Sequence, residues 1–114
     1  MSNRGTEAES AAAEYLQQKG LKLLERNHVS RYGEIDLIMQ DGKTLVFVEV
    51  RLRSSSGFGG AAMSITPVKQ KRIMRTAEQY LQRHGNHACR FDVVLMSRAD
   101  GSDIEWIRNA FDAN

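Results

Sequence analysis

The stretch Gly33–Arg53 most strongly constrains what this chain can fold into. It contains two apolar runs, Ile35–Met39 and Leu45–Val50, which are joined by a short polar segment that includes Asp41-Gly42. An Asp-Gly pair between two such runs is a strong signal for a β-hairpin, because glycine readily adopts the positive φ of a tight turn. We therefore predict a hairpin with Asp41-Gly42 as its two-residue turn.

The acidic residues of this hairpin are predicted to share one face. In the predicted register Asp36 lies opposite Phe47, and Glu34 lies opposite Glu49; a four-residue loop gives the same register. Because side chains alternate between the faces of a strand, the polar face carries Glu34, Asp36, Glu49 and Arg51. The other face is apolar and carries Ile35, Leu37, Met39, Val46, Val48 and Val50. Asp36 and Glu49 are then diagonal neighbours, roughly 7–8 Å apart at the backbone, and both can reach one ion.

These carboxylates need a positive partner, because like charges facing each other on a sheet are destabilising. One interpretation is an ion-pair lattice with Arg51, which lies on the same face. The other is a hard divalent cation with oxygen ligands, since Mg²⁺ typically uses one or two carboxylates together with substrate phosphates. The hairpin pattern leaves both interpretations open.

Two helices flank the hairpin in the sequence. Thr6 and Glu9 form a capping box, which predicts Thr6 as the N-cap of a first helix that Gly20 ends. Thr66-Pro67 predicts the start of a second helix, because proline is favourable at the first helical position. That helix is predicted to end at about His84, before a glycine.

The remaining segments complete an α/β pattern. We predict a short strand at Leu21–Glu25, a polar connector at Asn27–Tyr32 and a loop at Ser54–Ala62. Two later strands are predicted at Arg90–Met96 and, at a sheet edge, Asp103–Arg108. The resulting order, αβββαββ, indicates an α/β fold with a mixed sheet and flanking helices.

The chain as a whole is predicted to form one domain, residues 1–114. No apolar run approaches the roughly 20 residues that span a bilayer, and the N-terminus has no signal-peptide pattern. A single cysteine, Cys89, suits a reducing compartment. We therefore expect a cytoplasmic protein without membrane contact. A net charge of only +2 permits a polyanionic partner without requiring one.

The second helix is unusually basic near its start, with Lys69, Lys71, Arg72 and Arg75. Cations there oppose the helix dipole, whose N-terminus favours anions such as phosphate. A solvated face would tolerate this arrangement, so the pattern alone does not decide. Together with the carboxylates, it favours a nucleic-acid backbone as the partner.

Several fragments resemble known families. Asp36, followed thirteen positions later by Glu49-Val50-Arg51, resembles the D…ExK signature of the PD-(D/E)XK nucleases. More closely, the chain resembles the uncharacterised bacterial YraN family, in fragments that occur in the same order across nearly the whole chain. These are ESAAAEYL from Glu9, GEIDLI from Gly33, FVEVR from Phe47, RFDVV from Arg90 and NAF from Asn109.

This resemblance implies a restriction-endonuclease-like fold, related to archaeal Holliday-junction resolvases, which are dimeric Mg²⁺-dependent endonucleases. It implies Mg²⁺ or Mn²⁺ as the cofactor, a nucleic acid, in the first instance DNA, as the substrate, and a homodimer as a further expectation. Asp36 and Glu49 would be metal ligands, with the Val50 carbonyl as a third. Glu9 would match a first-helix glutamate that holds the metal or a metal-bound water, and Glu34 would lie behind the ligands.

Arg51 departs from the family pattern, which has lysine at that position. An arginine can stabilise negative charge on a phosphate, but it is too weak an acid to give up a proton. Lys69 matches a lysine of the family's second helix, and it or Lys71 would supply an ammonium group from across the site.

The sequence thus favours a metal-dependent endonuclease-like domain. Its catalytic residues would be Asp36, Glu49, Arg51 and Glu9, and its nucleic-acid contacts Lys69, Lys71, Arg72 and Arg75. The alternative, motivated by Arg51, is a catalytically inactive nucleic-acid-binding module of the same fold. Because of Arg51, the sequence leaves open whether the protein is an enzyme.

Overall fold

A mixed β-sheet forms the centre of the molecule, with helices packed against it. The computed structural model describes residues 4–53, 65–85 and 87–112, with side chains from residue 6 onward. Within these residues the elements are α1 (Arg4–Gln18), β1 (Lys22–Ser30), β2 (Gly33–Asp41), β3 (Thr44–Leu52), α2 (Pro67–His84), β4 (Cys89–Met96) and β5 (Glu105–Phe111). This order is the predicted αβββαββ. The predicted loop Ser54–Ala62 lies outside the described residues.

The strands are arranged in the order β1-β2-β3-β4-β5. Three neighbouring pairs are antiparallel, whereas β3 and β4 are parallel. The connection between β3 and β4 contains α2, as expected because parallel neighbours need a long crossover. The mixed sheet is therefore confirmed, and so is the edge position of the last strand.

The sheet is buried on both faces around β3. One core cluster joins the sheet to α1 and includes Ala8, Ala12, Leu16, Leu37, Met39, Val46 and Val48. The other joins it to α2 and includes Ile35, Ile38, Leu45, Phe47, Ile73, Ala77 and Tyr80. Central strands that are covered on both sides read as continuous apolar runs, as the segment Leu45–Val50 does. No helix in the described part of the chain is long and apolar enough to cross a membrane.

The bounds of α2 agree with the prediction. The Thr66 side chain accepts a hydrogen bond from the Lys69 backbone N–H (3.2 Å), which makes Thr66 the N-cap. Pro67 is the first helical residue, and Gly85 follows the helix with a φ of 96°. These signals act within one helical turn, so the sequence alone was sufficient to locate them.

Two predictions at the N-terminal side were wrong. α1 begins at Arg4, so Thr6 lies inside the helix and is not its N-cap, and Glu9 is buried instead of reaching back to a cap. The expected connector Asn27–Tyr32 is mostly strand, because β1 pairs with β2 up to Ser30↔Gly33. Ladder pairing with β2 outweighs the polar composition that suggested a connector.

The hairpin register also differs from the prediction. The two turn residues are Gly42 and Lys43, and Asp41 pairs with Thr44. Gly42, with a φ of 61°, is the first central residue, a position where glycine is favoured in type II′ turns. If this register is continued one pair beyond Leu37↔Val48, Asp36 lies opposite Glu49 instead of diagonal to it.

The predicted apolar face of the hairpin is only partly correct. Leu37 and Val48 share one face, as expected, and pack on the α1 side, but Ile35 joins the α2-side cluster. The other face is not only polar either, because Phe47 is buried on it. A helix covers each face of the sheet, so apolar side chains are needed on both.

Candidate functional site

The candidate site lies where the regular pairing of β2 with β3 ends. After Leu37↔Val48 the next acidic side chain, Asp36, replaces part of the ladder: its Oδ2 accepts the Val50 backbone N–H at 2.8 Å. A backbone donor on a carboxylate fixes the side chain's position. Asp36 is thereby held between the two strands.

Three carboxylates from two elements converge at this point. Glu9 on α1 and Glu34 and Asp36 on β2 each offer an oxygen, and these three atoms all lie within 4.8 Å of one another. Glu34 is exposed, whereas Glu9 is 8% exposed. The arrangement brings Glu34, expected behind the ligands, next to Asp36 and Glu9.

Glu9 is a buried acid with little compensation. Its Oε1 has no hydrogen-bond partner in the described part of the chain and lies 4.0 Å from Arg26 Nη2, while a hydrogen bond with the Asn27 side chain compensates the carboxylate in part. Burial, followed by the charge of Asp36, raises the pKa of Glu9 above its ordinary value. A buried oxygen without a donor is costly unless a proton or a cation occupies the space beside it.

Asp36 shows the same effect more strongly. Burial, followed by a hydrogen bond and charge interaction with Glu49, raises its pKa to about 7. The Val50 N–H and the Lys69 ammonium act in the opposite direction. Near neutral pH, therefore, this carboxyl exchanges readily between a proton and any cation that the site accepts.

Glu49 has a cation of its own. The Lys69 Nζ lies 2.9 Å from Glu49 Oε2, and the Glu49 side chain is 4% exposed. Because Lys69 belongs to the first turn of α2, the helix start delivers an ammonium group to the carboxylates. Its Thr66 cap and Pro67 start define where that turn lies.

A cavity of about 400 Å³ lies between the acidic strands and the start of α2. Among the side chains lining it are Glu34, Asp36, Glu49, Lys69 and Arg72. The space therefore has acidic groups from the sheet on one side and basic groups from the helix on the other. This is an arrangement that can accept a divalent cation together with an anionic substrate group.

The structure separates the four basic residues predicted on the second helix. Lys69 and Arg72 line the carboxylate cavity, whereas Lys71 and Arg75 line another cavity, beside Met74 and Cys89. Arg75 also approaches the ring of Tyr32, with its Cζ 5.7 Å from the ring centroid.

Arg51 and Val50, the other two residues of the D…ExK-like pattern, do not present side chains to the cavity as Asp36 and Glu49 do. Arg51 is not among the described residues that line the cavity, and its Nε is buried without a hydrogen-bond partner in the described part of the chain. Val50 contacts Asp36 through its N–H, while the role of its carbonyl as a ligand stays a prediction.

Sequence reasoning missed Arg31 and Tyr32, which it assigned to a connector. Arg31 Nη2 donates to the Tyr32 hydroxyl (2.9 Å), and both residues lie at the β1–β2 turn beside α2. The available signal was an Arg-Tyr-Gly sequence immediately before the acidic strand.

Comparisons with known proteins agree on one family. The model of a family described as "Uncharacterised protein family UPF0102" matches residues 8–96, a span that contains every site residue from Glu9 to Arg75. A UPF0102 protein of Nitrosomonas europaea is 60% identical over 111 residues, which cover 96% of this chain and 94% of the relative. A UPF0102 protein of Methylobacillus flagellatus is 51% identical over 113 residues, 99% of this chain and 100% of the relative.

Proposed function

The chain belongs to the uncharacterised protein family UPF0102, and we propose that it is a metal-dependent, endonuclease-like protein acting on nucleic-acid phosphodiesters. The membership is consistent with the YraN-family resemblance of the sequence. The observation that supports the proposal is the convergence of the Glu9, Glu34 and Asp36 carboxylates within 4.8 Å, beside a cavity that also carries lysine and arginine.

The donor set fits a hard divalent cation such as Mg²⁺ or Mn²⁺. It consists of oxygen ligands alone, and Glu9 presents a buried oxygen that has no donor in the described part of the chain. Burial has already raised the pKa of Asp36, so part of the cost of gathering these carboxylates would be recovered when a cation binds. Such an ion, once bound, neutralises phosphate charge and lowers the pKa of a water molecule that it binds.

The protein's own groups would orient the reaction. The Val50 N–H holds Asp36, so the carboxylate needs little rearrangement when substrate arrives. Arg72 at the cavity can donate to non-bridging phosphate oxygens through its planar guanidinium.

Lys69 is the better candidate for the ammonium group that Arg51 cannot supply. Its Nζ reaches Glu49 in the cavity, whereas Lys71 lines a different cavity. A phosphate bound beside the carboxylates would lie within reach of the flexible Lys69 side chain and compete with Glu49 for it. Lys69 would then stabilise the negative charge that develops on the phosphate.

A cleavage assay tests this function. End-labelled single-stranded, duplex and branched DNA, and matching RNA, are incubated with Mg²⁺, with Mn²⁺ or with a chelator. We expect metal-dependent cleavage of at least one substrate and a loss of about a hundredfold or more in Asp36→Asn. Glu14→Gln, which changes an exposed carboxylate on α1, is the control and should retain activity.

Cleavage that persists with the chelator, or equally in Asp36→Asn, would contradict the proposal. The second candidate, a binding module without catalysis, is favoured by two observations: Arg51 is not among the described residues that line the cavity, and Lys69 is already paired with Glu49. That function predicts oligonucleotide binding without metal and no cleavage of any of these substrates.

A further inference from the structure

The turn between β1 and β2 is tied to α2 by hydroxyl hydrogen bonds. The Ser30 hydroxyl donates to Thr76 Oγ1 (2.8 Å), and the Thr76 hydroxyl donates to the Arg72 carbonyl (2.9 Å). The Tyr32 backbone N–H donates to Ser30 Oγ (3.0 Å). Thr76 is fully buried, so this connection is shielded from water. These hydrogen bonds therefore fix the position of Arg31 and Tyr32, the two residues at the tip of the turn, relative to α2.

Two guanidinium groups meet at the aromatic ring on this turn. The Arg31 Cζ lies 5.0 Å and the Arg75 Cζ 5.7 Å from the centroid of Tyr32. Cation–π contacts at exposed sites are weak, so the ring orients these side chains without fixing them. The ring thus positions two positive charges, one from the turn and one from the helix.

These charges form no ion pair in the described part of the chain. Among the described residues, no carboxylate oxygen lies within 4.0 Å of the guanidinium of Arg31, Arg72 or Arg75. The only acidic residue lining the cavity beside Tyr32, within the described chain, is Glu78, which is exposed and makes no ion pair there. An external anion is the natural complement of such a group.

The positions of these cations continue from the carboxylate cavity along α2 to the cavity that Arg75 and Tyr32 line. Lys69, Arg72 and Arg75 are three residues apart on α2, so they span about 9 Å along the helix axis at 1.5 Å per residue. A stacked nucleic-acid strand carries one phosphate per about 3.4 Å of its axis. Because the phosphates also turn around that axis, this row, with the reach of its long side chains, can contact about two or three consecutive phosphates, of which the first would lie at the carboxylates.

We propose that Arg31, Arg72 and Arg75, with Tyr32 as their spacer, form a backbone-binding subsite that holds the phosphates flanking the reacting one. The identity of the ligand as a nucleic acid rests on the proposed function. The subsite reads no bases, because guanidinium groups occupy the surroundings of the Tyr32 ring on which a base would otherwise stack. It therefore supplies affinity and register without sequence preference.

The test is oligonucleotide binding measured by fluorescence anisotropy across a salt series, with chelator present to prevent cleavage. The variant is Arg31→Gln with Arg75→Gln. The matched control, Lys22→Gln with Lys43→Gln, removes the same charge from exposed positions at the opposite end of the β1–β2–β3 strands. Labelled thymine, adenine and mixed-sequence single strands are the probes, and phosphatidylserine vesicles are the competing surface.

For the variant, which loses two cations, we expect the slope of log K against log salt to become shallower by about 1.4. The affinity near physiological salt should fall about tenfold or more, and by the same factor for all three sequences. The control should keep the wild-type slope. A variant that retains the wild-type slope, a loss that depends on the base, or wild-type binding to vesicles but not to oligonucleotides would each overturn the proposal.

Its failure can be told apart from failure of the proposed function. If Asp36→Asn abolishes cleavage while the arginine variant binds like wild type, the subsite alone is wrong. If wild type cleaves nothing but the arginine variant still loses slope and affinity, the subsite is supported and the catalytic function is not.

Discussion

Asp36 connects the parts of the candidate site at the scale of single residues. It accepts the Val50 N–H, contacts Glu49 and shares the three-carboxylate cluster with Glu9 and Glu34. Because burial and the neighbouring Glu49 raise its pKa to about 7, the folded protein without metal holds a proton there that the unfolded chain releases at much lower pH. Proton and metal therefore compete for the same oxygens.

This competition predicts a pH-dependent effect of Asp36→Asn on stability without metal. A raised pKa in the folded state means that the stabilising contribution of wild-type Asp36 is complete below about pH 4 and is lost as pH rises through about 7. The amide carries no charge, so the variant should be more stable than wild type at about pH 8.5, by at least about 1 kcal/mol, and similar to it at about pH 4. Thermal unfolding in chelator at both pH values measures this, and equal destabilisation at both would contradict the assignment.

The Lys69–Glu49 pair predicts a measurable coupling energy. Glu49 is nearly inaccessible, so Lys69→Gln leaves a buried carboxylate without its cation and should lower the free energy of unfolding by about 1–2 kcal/mol. Adding Glu49→Gln should recover part of that loss. A double-mutant cycle by urea denaturation gives the coupling, which we expect to be about 1 kcal/mol or more.

The control for this cycle is Arg53–Glu105, an ion pair of similar length (3.1 Å) whose side chains are 39% and 52% exposed. Exposed pairs of this kind contribute little, so its coupling should stay below about 0.5 kcal/mol. Equal coupling for the two pairs would show that burial of Glu49 has no energetic consequence.

At the scale of elements, the β1–β2 turn positions both functional surfaces. It ends at Gly33, which precedes Glu34 and has a φ of 146°, a conformation that side chains with a Cβ rarely adopt. A Cβ built there would lie 3.7 Å from the Arg72 Cβ, so the space is occupied only to ordinary contact. The backbone angle is therefore what requires glycine.

Gly33→Ala is accordingly predicted to destabilise the protein by about 1–3 kcal/mol through backbone strain. Metal affinity should fall with it, since the turn sets the position of Glu34. Gly42→Asn is the control: that residue has a φ of 61° and open space around it, and asparagine tolerates this conformation. Urea denaturation compares the two, and equal costs would contradict the argument.

How well each element could be predicted depended on the distance over which its determinants act. The α2 bounds followed from Thr66, Pro67 and Gly85, all within a turn of the helix ends. The extent of β1 and the hairpin register depend on pairing between strands, which composition does not encode. The register error moved the turn by one residue and the strand pairing by two, so Asp36 and Glu49 remained neighbours across the two strands.

The candidate site was predictable only in part, for the same reason. The acidic pair came from one hairpin and was visible as carboxylates among β-type residues. The approach of Glu9 and Lys69 depends on how two helices pack against the sheet, and only the family resemblance pointed to them. Tyr32 was missed because its contact with Arg75 joins elements far apart in the sequence.

At the scale of the whole molecule, one buried acid serves stability and not the site. Asp92 in β4 is fully buried and accepts hydrogen bonds from Arg90 Nε, Trp106 Nε1 and the Asn109 backbone N–H. These contacts join β4 to the edge strand β5. Both oxygens of Asp92 accept hydrogen bonds, whereas Glu9 Oε1 has no hydrogen-bond partner in the described part of the chain.

Asp92→Asn should therefore lower the free energy of unfolding by about 1.5–3 kcal/mol, since it removes the charge from a fully buried hydrogen-bond acceptor while Arg90 keeps its ion pair with Asp41 (3.1 Å). Metal affinity of the folded protein should stay unchanged. Asp100→Asn, at an exposed turn position, is the control and should cost far less. Urea denaturation and metal titration on the same samples decide, and loss of metal binding in folded Asp92→Asn would contradict this separation of roles.

The measurement that most directly tests the account is a calorimetric titration of Mn²⁺ and Mg²⁺ into the full chain. The variants are Asp36→Asn and Glu34→Gln, with Glu14→Gln as the control for loss of an acidic charge. We predict saturable binding to wild type and to the control. The affinity should be at least about tenfold lower in Asp36→Asn and reduced in Glu34→Gln. Glu34 is exposed, so misfolding would not explain a loss of binding in Glu34→Gln. No saturable binding to wild type, or wild-type affinity in Asp36→Asn, would contradict the metal site on which the proposed function depends.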